Sequence, residues 1–290
     1  MARTFSPLRY PGGKSSIFPL VSSILKDNFD KPCRYIEPYA GGGGLALAVL
    51  YSGNATEIHL NDLDRSVWAV WHCILNETDA FIEKIRKTDV TIDEWHKQRD
   101  IQNCKDEHSD IDVGFSSFFL NRTNRSGIIL KAGVIGGLSQ NNDSYKLDCR
   151  FNKEDLIHRI EKIKELKNKI HIYNMDAIDF IKDVDSYDSA QNCFFIDPPY
   201  FEKGSSLYTN FYSKEDHAKI QSEISKLKSR WLLTYDYVDE IKSIYKKHTC
   251  YEYYLNYSLA KKRVGKELFF CSDNLSIPQE LINNVLVTHS

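Results

Sequence analysis

Four consecutive residues, Asp197-Pro198-Pro199-Tyr200, follow directly on the apolar run Cys193-Phe194-Phe195-Ile196. The run reads as a strand, and the prolines end it abruptly, because proline has no N–H to continue a ladder and fixes its own φ. A carboxylate, a free carbonyl and an aromatic ring are left at the strand tip. Carboxylate and carbonyl are both acceptors, so the ligand that suits them is a donor with two hydrogens, such as an exocyclic amino group. The tyrosine ring could stack on the base carrying that group. A rigid turn is the plainer reading of the same residues, and a matching cofactor site elsewhere decides between them.

Such a site lies upstream. Ile36-Glu37-Pro38-Tyr39-Ala40-Gly41-Gly42-Gly43-Gly44 and the apolar residues to Val49 read as strand, glycine loop and helix. The glycines permit positive φ and let a ligand approach the backbone closely. After a further strand, Asn61-Asp62 puts a carboxylate where it can accept both hydroxyls of a ribose. Together these describe a nucleoside-type cofactor site. Gly41-x-Gly43-x-x-Ala46 also fits the dinucleotide fingerprint, with Asp62 about 20 residues on, so a nicotinamide-dependent enzyme is the competing reading. Hydride transfer, however, has no need of Asp-Pro-Pro-Tyr. Tyr10-Pro11-Gly12-Gly13-Lys14-Ser15 imitates a phosphate loop but has Leu8 where that loop requires glycine. Lys14 is left either to close over the cofactor's negatively charged end or to lie on the surface.

Elements that position these residues alternate along the chain. Strands are expected at Arg34–Glu37, Glu57–Asn61, Ile170–Asn174, Cys193–Ile196, Trp231–Tyr235, Tyr251–Tyr257 and Glu267–Cys271, with helices in most gaps. Leu156, Ile157, Ile160, Ile163 and Leu166 recur at helical spacing over Lys153–Lys167, with Asn152 as cap. Lys214–Leu227 behaves alike behind a capping-box-like Ser213 and Asp216. The last two strands have no helix between them and predict an antiparallel hairpin at a sheet edge. Residues 81–150 break the rhythm and read as a mainly helical insertion, with Ile111–Leu120 facing the core and Asn121 onward as long loops. The fold class is therefore α/β, a mostly parallel sheet with a C-terminal antiparallel hairpin. Residues 1–80 and 151–290 form the main domain, and 81–150 the insertion.

The chain has 290 residues, 27% of them charged, and a net charge of −2, an ordinary globular composition without a bulk signal for nucleic acid. A nucleic-acid surface must then be a local patch. No apolar run approaches the roughly 20 residues that span a bilayer, and a cytoplasmic location is expected. The seven cysteines form no C-x-x-C pair, against a zinc knuckle or a disulfide framework. The zinc deaminase signature is absent as well.

In their order, Tyr10-Pro11-Gly12-Gly13-Lys14, Glu37-Pro38-Tyr39-Ala40-Gly41-Gly42-Gly43-Gly44, Asn61-Asp62, Asp176, Asp197-Pro198-Pro199-Tyr200, Trp231-Leu232-Leu233-Thr234-Tyr235-Asp236 and Gly265-Lys266-Glu267-Leu268-Phe269-Phe270 resemble the Dam-type (D12 class) DNA adenine-N6 methyltransferases. The resemblance covers nearly the whole chain and implies a Rossmann-like methyltransferase fold with S-adenosyl-L-methionine as cofactor, double-stranded DNA as partner, and the insertion as target-recognition region. By that resemblance Tyr10, Lys14, Glu37, Pro38, Ala40, Gly41 and Gly43 line the methionine end and Asp62 holds the ribose. Asp176 bonds the cofactor's adenine amino group with Ala177 beside it, although Asp176 equally suits a helix N-cap. Asp197, Pro198, Pro199 and Tyr200 are the catalytic residues. The target adenine must leave the duplex, since its N6 is unreachable inside the stack.

Asn121, Arg122, Asn124 and Arg125 are candidate DNA contacts, because Arg reads guanine and phosphate while Asn reads adenine; a solvated polar loop is the plainer reading. The family commonly has an aromatic followed by Asn-Gly here, and this chain does not. Lys261-Lys262-Arg263 is a second candidate phosphate-facing patch. No metal is required and no membrane is involved, and an associated restriction endonuclease is compatible with this role. The alternatives left are an N4-cytosine methyltransferase and a catalytically silent DNA-binding protein of the same fold.

Overall fold

The computed structural model describes residues 5–10, 12–141, 145–201, 212–257 and 263–288. Among these, eight strands pair into one sheet in the order β3-β2-β1-β4-β5-β7-β6-β8. They are β1 Cys33–Glu37, β2 Ala55–Asn61, β3 Ile170–Tyr173, β4 Asn192–Ile196, β5 Arg230–Asp236, β6 Cys250–Tyr257, β7 Arg263–Cys271 and β8 Val287–Thr288. Strands β1 to β5 are parallel, and β7, β6 and β8 follow in antiparallel pairing. The expected hairpin is thus present, but β8, which has no strong sequence pattern, pairs along β6 and takes the outermost place.

Helices are α1 Phe18–Asn28, α2 Gly44–Tyr51, α3 Arg65–Asn76, α4 Thr78–Lys87, α5 Ile92–Asn103, α6 Asp110–Thr123, α7 Lys153–Glu165, α8 Ala177–Asp185, α9 Lys214–Ile224, α10 Asp239–Ile244 and α11 Gln279–Asn284. Successive strand residues point to opposite faces of the sheet, and the core divides accordingly. Tyr35, Cys193, Phe195, Leu232 and Phe269 pack with α1, α2 and α3 on one face. Ile36, Phe194, Ile196, Leu233 and Phe270 pack with α8, α9 and α10 on the other. Phe81, Trp95, Phe115, Phe118 and Phe119 of the inserted helices join the first cluster, so the insertion and the sheet share one apolar core.

Asn152 caps α7 by accepting the Asp155 N–H, and Ser213 with Asp216 forms the full capping box of α9, both as the sequence predicts. One expectation fails. Asn121, Arg122 and Thr123 belong to the last turn of α6, not to a loop. Their polarity suggests solvent, but Asn121 and Thr123 are buried, and internal partners take the place of water.

From β1 the chain moves outward to β2 and β3, then returns to place β4 on β1's other side. This reversal opens a crevice beyond the carboxyl ends of β1 and β4, where ligands bind in open α/β sheets. The glycine loop follows β1 and Asp-Pro-Pro-Tyr follows β4, so topology alone brings the two motifs together.

Candidate active site

A cavity of about 730 Å³ occupies this crevice, lined by Tyr10, Glu37, Ala40, Asp62, Ala177 and Asp197 among others. That volume suits a small organic ligand. Its floor is the glycine loop. Gly41 has φ 47° and Gly43 φ 57°, left-handed values that favour glycine. Space makes the same demand: a Cβ on Gly41 would lie 2.7 Å from the Tyr10 ring, and one on Gly43 2.5 Å from Trp71. The Gly41 N–H donates to Asp62 Oδ2 at 3.0 Å and the Trp71 indole N–H donates to the Gly41 carbonyl at 3.1 Å, fixing the loop to β2 and α3.

Asn61 does what the sequence reading did not assign to it. Fully buried at the end of β2, it donates to the Pro38 and Met175 carbonyls at 3.0 and 3.1 Å and accepts the Met175 N–H at 2.9 Å. One amide therefore ties together the loops after β1, β2 and β3. Asn174 adds bonds to the Asp62 and Leu63 carbonyls.

Two carboxyls in the cavity wall are held far from their ordinary state. Burial, above all, pushes Glu37 up to about 8, and the nearby charge of Asp197 adds to the rise. Glu37 lines the cavity, and its Oε1 is buried without a hydrogen-bond partner among the described residues. Asp62 is raised to about 7, again mainly by burial, although the Asp64 and Gly41 N–H groups favour its charged form. Asp176 is exposed and caps α8 by accepting the Ile178 N–H at 2.8 Å; the cavity lining includes Ala177 and not Asp176.

At the β4 tip the catalytic candidates are joined by one polar network. Thr234 of β5 donates to Asp197 Oδ1 at 2.7 Å, leaving Oδ2 toward Lys14 Nζ, also at 2.7 Å. Lys14, with a side chain only 4% exposed, further donates to the Gly12 carbonyl at 3.1 Å and to the Tyr200 hydroxyl at 3.2 Å. Glu267 of β7 stands beneath, accepting the Tyr200 O–H at 2.6 Å and the Tyr253 O–H, with Lys14 Nζ 3.6 Å away. A half-buried carboxylate and a buried one thus face one buried ammonium. Burial raises the Asp197 pKa, and Lys14 works against that rise. The resemblance implies Lys14 at the cofactor's methionine end; in the structure Lys14 lines the cavity and its ammonium reaches the Asp197 carboxylate. Pro198 is buried, and Pro199 lines the cavity.

The opposite wall is basic. Arg9, Arg122, Lys131, Arg150 and Arg159 all line the same cavity. Arg9 donates to the Asn124 carbonyl, Arg122 to the Arg150 carbonyl and Arg159 to the Ser6 carbonyl, so backbone anchors fix three of the guanidiniums. Burial, with Arg9 and Arg159 nearby, lowers Arg122 to about 9, and Arg9 is lowered by burial and by Arg150. Arg159 is paired with Asp155 at 2.7 Å, and the other cations give this wall a positive potential that suits an anion. Only Arg122 of this set is a sequence-stated candidate for contact with DNA; positions 9, 150 and 159 are too far apart in the chain for a local charge pattern to betray them.

The two asparagines proposed as DNA contacts point inward. Asn121 accepts the Arg9 N–H at 2.8 Å and donates to the Arg9 carbonyl at 2.6 Å and the Gly127 carbonyl at 2.8 Å, pairing with Arg9 as a neighbouring strand would. Asn124 accepts the Trp95 indole N–H at 2.7 Å and donates to the Ile128 and Ile129 carbonyls. Both amides are engaged inside the protein, so neither presents a base-reading edge in this conformation. Arg125 is exposed and outside the cavity lining. Lys261 and Lys262 lie outside the described residues, and of Arg263 only the backbone is described.

Residues 10–259 match the family described as D12 class N6 adenine-specific DNA methyltransferase. The chain is 27% identical over 269 residues to the Type II methyltransferase M.CviBI of Paramecium bursaria Chlorella virus NC1A, covering 90% of this chain and 95% of that relative. It is 25% identical over 244 residues to the Type II methyltransferase M.MjaIII of Methanocaldococcus jannaschii, covering 77% and 80%. With the family matched over most of its length, the chain belongs to the D12 class of N6 adenine-specific DNA methyltransferases.

Proposed function

We propose that Asp197 and the Pro198 carbonyl are the acceptors that hold the amino group of a flipped adenine in this S-adenosylmethionine-dependent, adenine-specific DNA methyltransferase. The observation that carries the reading is the state of Asp197. One oxygen is fixed by Thr234, and the other already holds a nitrogen donor, the Lys14 ammonium, at 2.7 Å. An incoming amino group takes that place when Lys14 swings aside, and the Gly12 carbonyl and Glu267 offer its ammonium other partners. Drawing both amino hydrogens into acceptors turns the nitrogen lone pair away from the ring. As N6 gains its methyl it must lose a hydrogen, and Asp197, its pKa raised by burial, is the acceptor bonded to that hydrogen. Glu267 and Lys14 hold the Tyr200 hydroxyl and so set its ring for stacking on the base.

The cofactor fits the remaining wall. The unmatched Glu37 Oε1 suits an amino-acid ammonium, Asp62 the ribose hydroxyls, and Ala177 the adenine edge. Bound there, S-adenosylmethionine supplies an electrophilic methyl on a sulfonium. Positioning N6 for in-line attack supplies on the order of several kcal/mol of the rate.

Arg9, Arg122, Arg150 and Arg159 take the DNA phosphates beside the flipped nucleotide, with residues 81–150 as recognition unit and 1–80 with 151–290 as catalytic domain. Under the same reading the enzyme works in the cytoplasm of a bacterial or phage-infected cell, alongside a restriction endonuclease. Both relatives above carry type II methyltransferase names, which supports the pairing. No helix among the described residues is long and apolar enough to cross a membrane. The N4-cytosine alternative gives way, because the matching family is adenine-specific.

The test is Asp197→Ala. Methyl transfer should fall by about a thousandfold or more while cofactor affinity stays within a few-fold, since the carboxylate acts on the acceptor nitrogen. Near-normal turnover in that variant would remove Asp197 from the role.

A further inference from the structure

Away from the cavity, on the face that carries α8, the edge strand β3 and its neighbour β2 place His59 and His171 directly opposite each other in parallel register. Their rings stack at 4.6 Å, and Glu57, two residues before His59 and on the same face, accepts from both. His59 Nε2 lies 3.3 Å from Glu57 Oε1, and His171 Nε2 lies 3.1 Å from Glu57 Oε2. Among the described residues these three make up a set whose candidate ligand atoms all fall within 4.8 Å of one another.

We propose that Glu57, His59 and His171 form a binding site for a divalent transition-metal ion of the zinc class, joining the edge strand β3 to β2. The geometry supports it. Bonds of about 2.0 Å at tetrahedral angles separate neighbouring ligand atoms by roughly 3.3 Å, which the His59 Nε2–Glu57 Oε1 distance matches; His171 Nε2 stands 3.1 Å from the other oxygen, Oε2, and the stacked rings turn about their side-chain bonds to bring both Nε2 lone pairs onto one ion. The ligand types, two imidazoles and a carboxylate, suit zinc with a water in the fourth position.

The surroundings are those of a supported site. His59 Nδ1 is 2.9 Å from the Tyr173 hydroxyl, an oxygen partner that fixes the ring and leaves Nε2 for the metal. Arg34 Nε donates to Glu57 Oε1 at 2.7 Å and orients the carboxylate from the β1 side. Side-chain exposures of 28, 12 and 40% for Glu57, His59 and His171 leave an entry path.

β3 is only four residues long, and Ala177 of the cavity lining follows four residues after its end. A metal clip there steadies that wall from outside and takes no part in methyl transfer. The site stands or falls independently of the catalytic reading.

The experiment is calorimetric titration of the chelator-stripped full chain with zinc chloride, alongside His59→Ala and the milder His171→Asn, each checked by circular dichroism. One zinc per chain is expected, with at least tenfold weaker binding in either variant. In Tyr173→Phe, which loses only the outer partner, affinity should fall by about tenfold. Cobalt, as a reporter, should give the intense visible bands of a four-coordinate ion. Two results would overturn the proposal: no zinc taken up, or uptake undiminished in both histidine variants, which would assign it to exposed thiols such as Cys104 and Cys149.

Discussion

The two walls of the cavity were built from different kinds of sequence. On the strand-tip side, the groups proposed for chemistry come in short consecutive runs, Glu37 to Gly44 and Asp197 to Tyr200, and the β1/β4 reversal brings those runs together. On the facing side, the arginines come from positions 9, 122, 150 and 159, brought together by the packing of α6, α7 and the N-terminal segment. The difference teaches where function can be read from a chain. A strand tip exposes consecutive residues to one place, so pattern is enough; a wall assembled across elements leaves no local pattern.

Asn121 makes the sharpest break in that comparison. A polar residue in the polar stretch Asn121-Arg122-Thr123-Asn124-Arg125 reads as surface, yet its amide joins α6 to the segment that carries Tyr10 and Lys14. Asn121→Ala should strand the Arg9 N–H and the Arg9 and Gly127 carbonyls, destabilising the fold by about 3 kcal/mol. A urea-unfolding midpoint measures this; an unchanged midpoint with weakened DNA binding would restore Asn121 to the DNA surface.

The next effect belongs to the strand-tip wall. Glu37 is raised from an ordinary 4.5 to about 8, so the free enzyme holds a proton there at neutral pH that the unfolded chain has lost. Its contribution to stability is fully present below 4.5 and is lost as pH rises through about 8. Accepting an ammonium requires the carboxylate, so cofactor affinity should weaken as pH falls below 8, by at most about tenfold per unit. Affinity measured against pH should show this slope, and Glu37→Gln should flatten it. An equally steep profile in the variant would assign the proton elsewhere, with Asp62, raised to about 7, the nearest candidate.

The smallest effect tests the basic wall. Arg122→Ala should weaken DNA binding several-fold and reduce the slope of log affinity against log salt by about 0.9, the loss of one phosphate contact. Arg125→Ala, on the exposed side of the same stretch, should leave the slope unchanged. Equal slopes in the two variants would dissolve the distinction between wall and loop.

The parallel sheet, the hairpin and the capped helices were legible because each rests on local periodicity or capping chemistry. β8 was not: Val287–Thr288 is too short to carry a pattern and exists by pairing with β6. Within the site, Asp197, Glu37 and the glycine loop were legible as motifs. The Lys14–Asp197–Tyr200–Glu267 network was not, because it joins residues as far apart as 14 and 267 across β4 and β7. Lys14 was legible as a motif beside the cavity, but not its ion pair with Asp197 or its approach to Glu267.

In the proposed reaction this cavity methylates adenine at N6. Incubating the protein with methyl-labelled S-adenosylmethionine and mixed-sequence duplex DNA, then digesting the product to nucleosides, tests it most directly. Label is expected in N6-methyladenine. Label in cytosine, or none under conditions where the cofactor binds, would contradict it.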